Sequence, residues 1–230
     1  YDKIPATLPS GEATAGRLSK QMEIENIARN VIEQAGFSEG MTYFFESPKV
    51  FDKLLVPEGS KAREAIVISN PLGEDTSIMR TTSVASMLSA LALNYNNRNE
   101  AVCMFEPATV YIKREGTDVL PEEKVEFCIG AYGGGQDFFD MKGIVEQTLK
   151  LAGVSGCKYI RQTDNPTFHP GRTADIVKDD SVIGIIGQIH PEVCKEFDLC
   201  EEAYVAVLDF NVILANSITE KNYKPLPKFP

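Results

Sequence analysis

From Ser19 onward, apolar residues recur at Met22, Ile24, Ile27, Ala28, Val31, Ile32 and Ala35, the spacing of one helical face; Ser19 stands where a cap is needed and Gly36 where a helix stops. An amphipathic helix of about five turns is predicted. Met41 to Glu46 is aromatic and β-branched and ends before Pro48, which predicts a strand cut short by proline. Ala65 to Ser69 predicts a second short strand, closed by the turn Asn70-Pro71-Leu72-Gly73. A second helix is expected from about Ile78 to Tyr95, with Val84, Leu88, Leu91 and Tyr95 on one stripe. Ser83, Ser86, Ser89 and Ala90 around that stripe are small enough to let another element approach closely.

Ala101 to Ile112 and Lys124 to Tyr132 both read as strands, and the loop between them, Arg114 to Asp118 with Pro121, makes an antiparallel pair the economical arrangement. A third helix is predicted with Asp140 as its cap, Ile144, Val145, Leu149 and Ala152 as its face and Gly153 as its stop. Further strands are expected near Cys157 to Gln162, Thr173 to Val177, Val182 to Ile189 and Ala203 to Asp209, with a short helix from about Pro191 to Phe197. Strands follow strands and helices come singly, without βαβα alternation. That order predicts an α+β fold with a mainly antiparallel sheet flanked by helices.

Composition narrows the functions open to such a domain. The 33 acidic residues outnumber the 23 basic ones, giving a net charge of −10 that repels a polyphosphate backbone. The basic residues are scattered, Lys113-Arg114 being the only adjacent pair and Lys221, Lys224 and Lys228 lying in a proline-containing tail, so a general nucleic-acid binder is disfavoured. The five cysteines, Cys103, Cys128, Cys157, Cys194 and Cys200, are odd in number and mostly set among apolar residues, as reduced buried thiols are. No apolar run approaches the roughly 18 residues of a membrane span. A soluble, cytoplasmic protein whose cysteines remain thiols is expected. The chain opens at Tyr1 without Met and stops among Pro225, Pro227 and Pro230, which reads as a piece of a longer protein.

Candidate chemistry is sparse. His169 and His190 each precede a proline, and although His190 and Cys194 have helix-compatible spacing, no CxxC or HxxxH supports a metal site; turn or cap roles are expected. There is no GxSxG elbow or cysteine-enzyme signature. Gly133-Gly134-Gly135 lacks the GxxxxGK[ST] of a phosphate cradle and is read as a hairpin loop. Gly184 and Gly187 lie inside a predicted strand, where glycine marks close backbone approach.

Four blocks carry a resemblance. They are Asn70-Pro71-Leu72-Gly73-Glu74-Asp75-x-Ser77-x-Met79-Arg80 with Met104-Phe105-Glu106; Asp137-Phe138-Phe139-Asp140-x-Lys142-Gly143; Phe168-His169-Pro170-Gly171-Arg172-Thr173-Ala174; and Gly184-x-x-Gly187-x-x-His190-Pro191. In this order they resemble the core domain of bacterial-type phenylalanyl-tRNA synthetase β subunits. The resemblance implies a class II synthetase-like core over residues 17–216, an extended arm from a preceding domain over 1–16, and a linker toward an anticodon-binding domain over 217–230. It also implies a catalytically silent scaffold for an α subunit in a heterotetramer of two α and two β, reaching tRNA through the holoenzyme and touching no membrane. ATP and Mg belong to that holoenzyme, and no cofactor, metal or catalytic residue is expected in this chain.

The silence is legible within the resemblance. Class II catalytic domains carry Phe-Glu-x-Gly-x-Val-Phe-Arg-x-Glu, whose Arg grips the ATP α-phosphate. Here Phe105-Glu106-Pro107-Ala108-Thr109-Val110-Tyr111 follows the pattern and Ile112 falls in the place of that Arg. Lys113 would face the other side of the strand, and Arg114 would lie about 7 Å further along it. A second hallmark, a Gly-rich strand leading into a helix with an Arg for the γ-phosphate, is also missing near Gly184 to Val193. The other reading is an ATP-binding class II-type enzyme domain with relocated phosphate ligands. Class II subunits meet through the first signature helix and strand, here Ser19 to Ala35 and the strand before Pro48. Ile24, Ile27, Val31 and Ile32 suffice for that helix's core, leaving Leu18 and Met22 to cover a partner or to lie under the arm. Asn70, Pro71, Arg80, His169, Pro170, Gly171 and Arg172 are family markers without an assigned role; for Phe168 to Arg172 the plain reading is a hairpin with Arg172 in an internal or intersubunit salt bridge.

Overall fold

A computed structural model describes residues 1–8, 10–13, 15–116, 119–199 and 202–220. Cys200 and the expected linker beyond residue 220 lie outside them.

Helix α1 (Lys20–Gln34) is capped by Ser19, whose hydroxyl accepts from the Met22 N–H at 3.2 Å, and it buries Ile24, Ala28 and Ile32 at four-residue spacing. Gly36 at φ +92° ends it, and the Phe37 N–H reaches back to the Ile32 carbonyl. Strand β1 (Ser38–Glu39) is two residues long. The strand expected from Met41 to Glu46 shrinks to β2 (Phe45–Glu46), which pairs with β3 (Ile78–Met79). Ala65 to Ser69 forms only a single bridge, Val67 to Ile78, instead of a strand. Between them lies α2 (Val50–Lys53), a turn of helix that apolar spacing did not announce. Helix α3 starts at Val84 rather than Ile78 and runs to Asn96, because Ile78 and Met79 are held by their strand partners.

Strands β4 (Val102–Ile112) and β5 (Glu122–Tyr132) form the antiparallel pair that was expected. Gly133, Gly134 and Gly135, all at positive φ, make a strand-to-helix turn, not a hairpin loop. Helix α4 (Phe138–Leu151) is capped by Asp137, not Asp140: the Asp137 carboxylate accepts from the Phe139 and Asp140 N–H groups, and Asp140 reaches back to the Asp137 N–H. Strands β6 (Lys158–Arg161), β7 (Phe168–Lys178), β8 (Ser181–Ile189) and β9 (Ala203–Asp209) follow, with α5 (Pro191–Glu196) between the last two. Helix α6 (Phe210–Asn216) follows β9 directly.

The main sheet has seven strands in the order β1-β4-β5-β9-β8-β7-β6, antiparallel except for β1 against β4. Period-two alternation sends Phe127, Ile129 and Ala131 of β5 to a core shared with α1, α4 and α6, and sends Cys128 and Tyr132 to a second core with α2, α3 and α5. Gly130 lies under α3, where a Cβ would meet Met87 at 2.7 Å. Gly184 lies against the Val207 carbonyl and Gly187 against Thr173, so both are sites of close strand approach. After α6 the chain returns across the first core. The Ile218 N–H bonds to the Gly153 carbonyl, and Lys20 Nζ donates to the Ser217 carbonyl at 3.0 Å. Cys103, Cys128, Cys157 and Cys194 are free thiols. No helix among the described residues is long and apolar enough to cross a membrane.

Candidate functional site

Strand β1 covers β4 only at Met104 and Phe105, and the Gly40 N–H closes that stretch on the Phe105 carbonyl. Beyond it the outer edge of β4 is completed by one residue, Arg80. Its backbone carbonyl accepts from the Tyr111 N–H at 2.9 Å, its own N–H donates to the Phe44 carbonyl, and its side-chain Nε donates to the Thr109 carbonyl at 2.7 Å. The guanidinium is wholly buried. Nη1 donates to Thr42 Oγ1 at 2.8 Å and to Ser86 Oγ at 3.3 Å, Nη2 donates to Glu106 Oε1 at 3.0 Å, and the Phe44 ring centroid lies 5.2 Å from Cζ. Glu106 is in turn satisfied by the Thr42 hydroxyl at 2.6 Å and the Thr42 N–H. Burying such a pair is tolerable because each side of it has further hydrogen-bond partners.

A second carboxyl adjoins this pair. Glu46 Oε1 accepts from the Ser86 hydroxyl at 2.8 Å, while its Oε2 is shut off from water without a partner. Burial pushes the Glu46 carboxyl up to about 7; the Ser86 hydrogen bond and Arg80 oppose this and Glu106 adds to it. Glu46 sits in the wall of an apolar groove of about 980 Å³, formed by the segment Met41 to Ser47 on one side and Ser86, Ser89, Ala90 and Leu93 of α3 on the other. Met41, Tyr43, Phe45 and Leu93 are exposed along it.

The same sheet face carries the positions compared above with the class II phosphate ligand. Ile112, the last residue of β4, shares the face of Glu106 by the two-residue period, and Lys113 and Arg114 lie exposed past the strand end. On β5, the partly buried Glu126 accepts from the Ser83 hydroxyl and from the Ser83 N–H at 3.0 Å; desolvation raises its pKa, with these hydrogen bonds opposing. The neighbouring groups are thus carboxyls. The strand-to-helix junction beside this hairpin is β9 into α6, not the Gly184 to Val193 stretch, since β8 lies one strand further from β5. Asp209-Phe210-Asn211 at that junction contains no Arg either.

The markers fall into separate places. Asn70 and Pro71 lie in an exposed loop before a short 3₁₀ turn, Glu74–Thr76, whose Glu74 pairs with Lys49 at 3.0 Å. His169, Pro170, Gly171 and Arg172 are not a hairpin but an irregular stretch within β7, where pairing with β8 shifts register between Phe168 and Thr173. His169 Nδ1 accepts from the Gly171 N–H, and His190 caps α5 by accepting from the Glu192 N–H. Arg172 donates to Gln188 Oε1 at 2.7 Å and pairs with Glu202 at 3.3 Å. Leu18 and Met22 are about half exposed, and Tyr1, Ile4 and Leu8 of the arm are themselves exposed rather than folded over them. Only Arg80 joins the network. That Thr42, Glu46 and Ser86 join a polar network was not read from the sequence, where Ser86 stood only as a small residue and Glu46 only as a strand end, though an acidic residue closing the aromatic run Phe44-Phe45 was a signal.

A family model for the phenylalanyl tRNA synthetase beta chain CLM domain matches residues 4–210. The chain belongs to that family. This CLM domain is 42% identical over its whole length to the phenylalanine–tRNA ligase beta subunit of Clostridium acetobutylicum and 40% identical to that of Clostridium tetani, and it spans 29% of each relative. Its fold is that of class II synthetases: pyrrolysyl-tRNA synthetase from Desulfitobacterium hafniense superposes with a TM-score of 0.68 at 12% identity, over 84% of this chain and 68% of that one.

Proposed function

We propose that this CLM domain is the non-catalytic core of a phenylalanine–tRNA ligase β subunit, scaffolding the catalytic α subunit in a cytoplasmic heterotetramer of two α and two β. ATP and Mg are handled by the holoenzyme and not by this chain. The observation that carries the reading is Ile112 at the end of β4, with Glu106 on its own strand face and Glu126 on the neighbouring strand, where a cation would be needed to hold a phosphate. Leu18 and Met22, left half exposed at the start of α1, support a partner on that helix.

The chain alone should show no phenylalanine-dependent ATP–pyrophosphate exchange and no saturable ATP binding; either signal would favour relocated phosphate ligands instead. Met22→Asp should leave the melting temperature nearly unchanged and weaken α binding by about 1–3 kcal/mol. A large loss of stability with α affinity intact would place Met22 in the domain's own packing.

A further inference from the structure

Strand β2 is a span of two residues held between anchors that belong to other parts of the fold. On one side Arg80 grips the chain, its guanidinium donating to Thr42 Oγ1 at 2.8 Å and its N–H to the Phe44 carbonyl at 2.9 Å. On the other side the Ser47 carbonyl accepts from the Val50 N–H at 3.0 Å, tying the chain to α2, whose Val50 and Phe51 are buried. Between these anchors the Glu46 side chain has one partner, the Ser86 hydroxyl, and its Oε2 is closed off from water without any. Phe45 is 41% exposed, so its side chain has little apolar contact to lose. Strand β3 is fastened independently of β2: the Met79 N–H donates to the Ile66 carbonyl and the Ile68 N–H to the Ser77 carbonyl, both at 2.9 Å.

We propose that Glu46 is a proton-operated latch on this span: protonated, it keeps β2 closed against β3 and α3, and on losing its proton to solvent it releases Phe45 and Glu46 while Thr42, Phe44 and Ser47 stay fixed. The cause is the stranded oxygen. A neutral carboxyl leaves Oε2 dry but uncharged, whereas a carboxylate puts charge where no donor stands, and water becomes its nearest partner. The charged groups facing Glu46 supply no other. Arg80 after β3 already donates to Glu106, Thr42, Ser86 and the Thr109 carbonyl, and Glu106 from β4 repels a second negative charge. At the groove rim Lys49 pairs with Glu74, Lys53 lies over the Phe197 ring at 5.3 Å, and Asp75 is itself acidic. Release breaks only the pairing of two residues with two and the bond to Ser86, which places it among the low-cost local openings of a fold. It also takes Phe45 and Glu46 out of the groove wall. Every group involved lies in this chain, so the latch does not depend on what the domain scaffolds.

The test is amide hydrogen exchange of this chain, followed residue by residue by NMR at about pH 6 and about pH 8, each rate divided by the intrinsic rate at its pH. Glu46 holds its proton up to about 7 when closed and only to the ordinary 4.5 when released, so the released population should grow about tenfold between the two conditions. The amides of Glu46 and Ile78, which stand opposite each other across β2 and β3, should lose protection by that factor. Those of Met79, bonded to Ile66, and of Tyr111, bonded to Arg80, should keep theirs. In Glu46→Gln the protection at position 46 and at Ile78 should be the same at both pH values. Constant protection of Ile78 in the parent would overturn the latch. So would an equal loss at Met79 and Tyr111, the mark of a general loosening, or a pH effect that survives in Glu46→Gln.

Discussion

The two faces of the main sheet are built on different principles. Against α1, α4 and α6 the packing is apolar, with Phe105, Phe127, Ile129, Val145 and Ile186 all fully or almost fully buried. Against α3 the same strands carry the buried Glu106 and the partly buried Glu126, and the segment crossing above them brings in Arg80, Ser83 and Ser86, which are buried. The first face is held by area and is forgiving of small changes in shape. The second adds to its own apolar core a polar cluster whose charged groups depend on named partners, so that one loss strands another group. The difference teaches that buried polarity here serves placement: Arg80 finishes the edge of β4 and fixes the segment that walls the groove.

The largest expected effect breaks that cluster. Arg80→Met should cost about 3–5 kcal/mol in denaturant unfolding, because Glu106 is left buried without its cation. Ile129→Val on the opposite face should cost about 1 kcal/mol. Adding Glu106→Leu to Arg80→Met should recover a good part of the loss; if the single change costs no more than Ile129→Val, the two faces do not differ as argued.

A smaller effect comes from Glu46. Its carboxyl binds a proton more tightly in the folded chain, near 7, than at the ordinary value of 4.5. The stabilisation this gives is complete below the ordinary carboxylate range and is lost as pH rises through about 7. Glu46→Gln should therefore reduce the fall in stability between about pH 5 and about pH 8 and gain about 1–2 kcal/mol at the higher pH. Glu126, also raised by burial, supplies a slope of the same sign that stays in the variant. An unchanged pH profile would show that Glu46 is already solvated.

The smallest effect belongs to the apolar side. Asp137→Ala removes the cap of α4 and half of its reciprocal pair with Asp140, and should cost about 1 kcal/mol by thermal unfolding. Asp140→Ala should cost less, since Asp137 would still satisfy two N–H groups.

Legibility in the sequence followed the same division. Period and capping placed α1 from Ser19 and the β4–β5 pair, because those elements bury one clean stripe or alternate simply. They misplaced the start of α3, since Ile78 and Met79 are apolar in either conformation and only their pairing with Phe45 and Glu46 decides for strand. Helix α6 was hidden because Phe210, Val212, Ile213 and Leu214 extend the apolar run of β9, and the break is made by Asp209 accepting from the Val212 N–H. The buried network was the least legible part. Thr42, Arg80 and Glu106 are brought together across 38 and 26 residues of chain, and no local period records such a meeting.

The close approach at Gly153 has a mechanical consequence. A Cβ there would stand 2.3 Å from the Ile218 carbonyl oxygen, so only a bare backbone lets the chain after α6 lie against the end of α4. Tension applied beyond Ile218 would load its bond to Gly153 and the grip of Lys20 on Ser217 before reaching α6. The pull is thus shared between the far end of one long helix and the near end of another. Such a fastening transmits force into the body of the domain as a unit instead of peeling its last helix away.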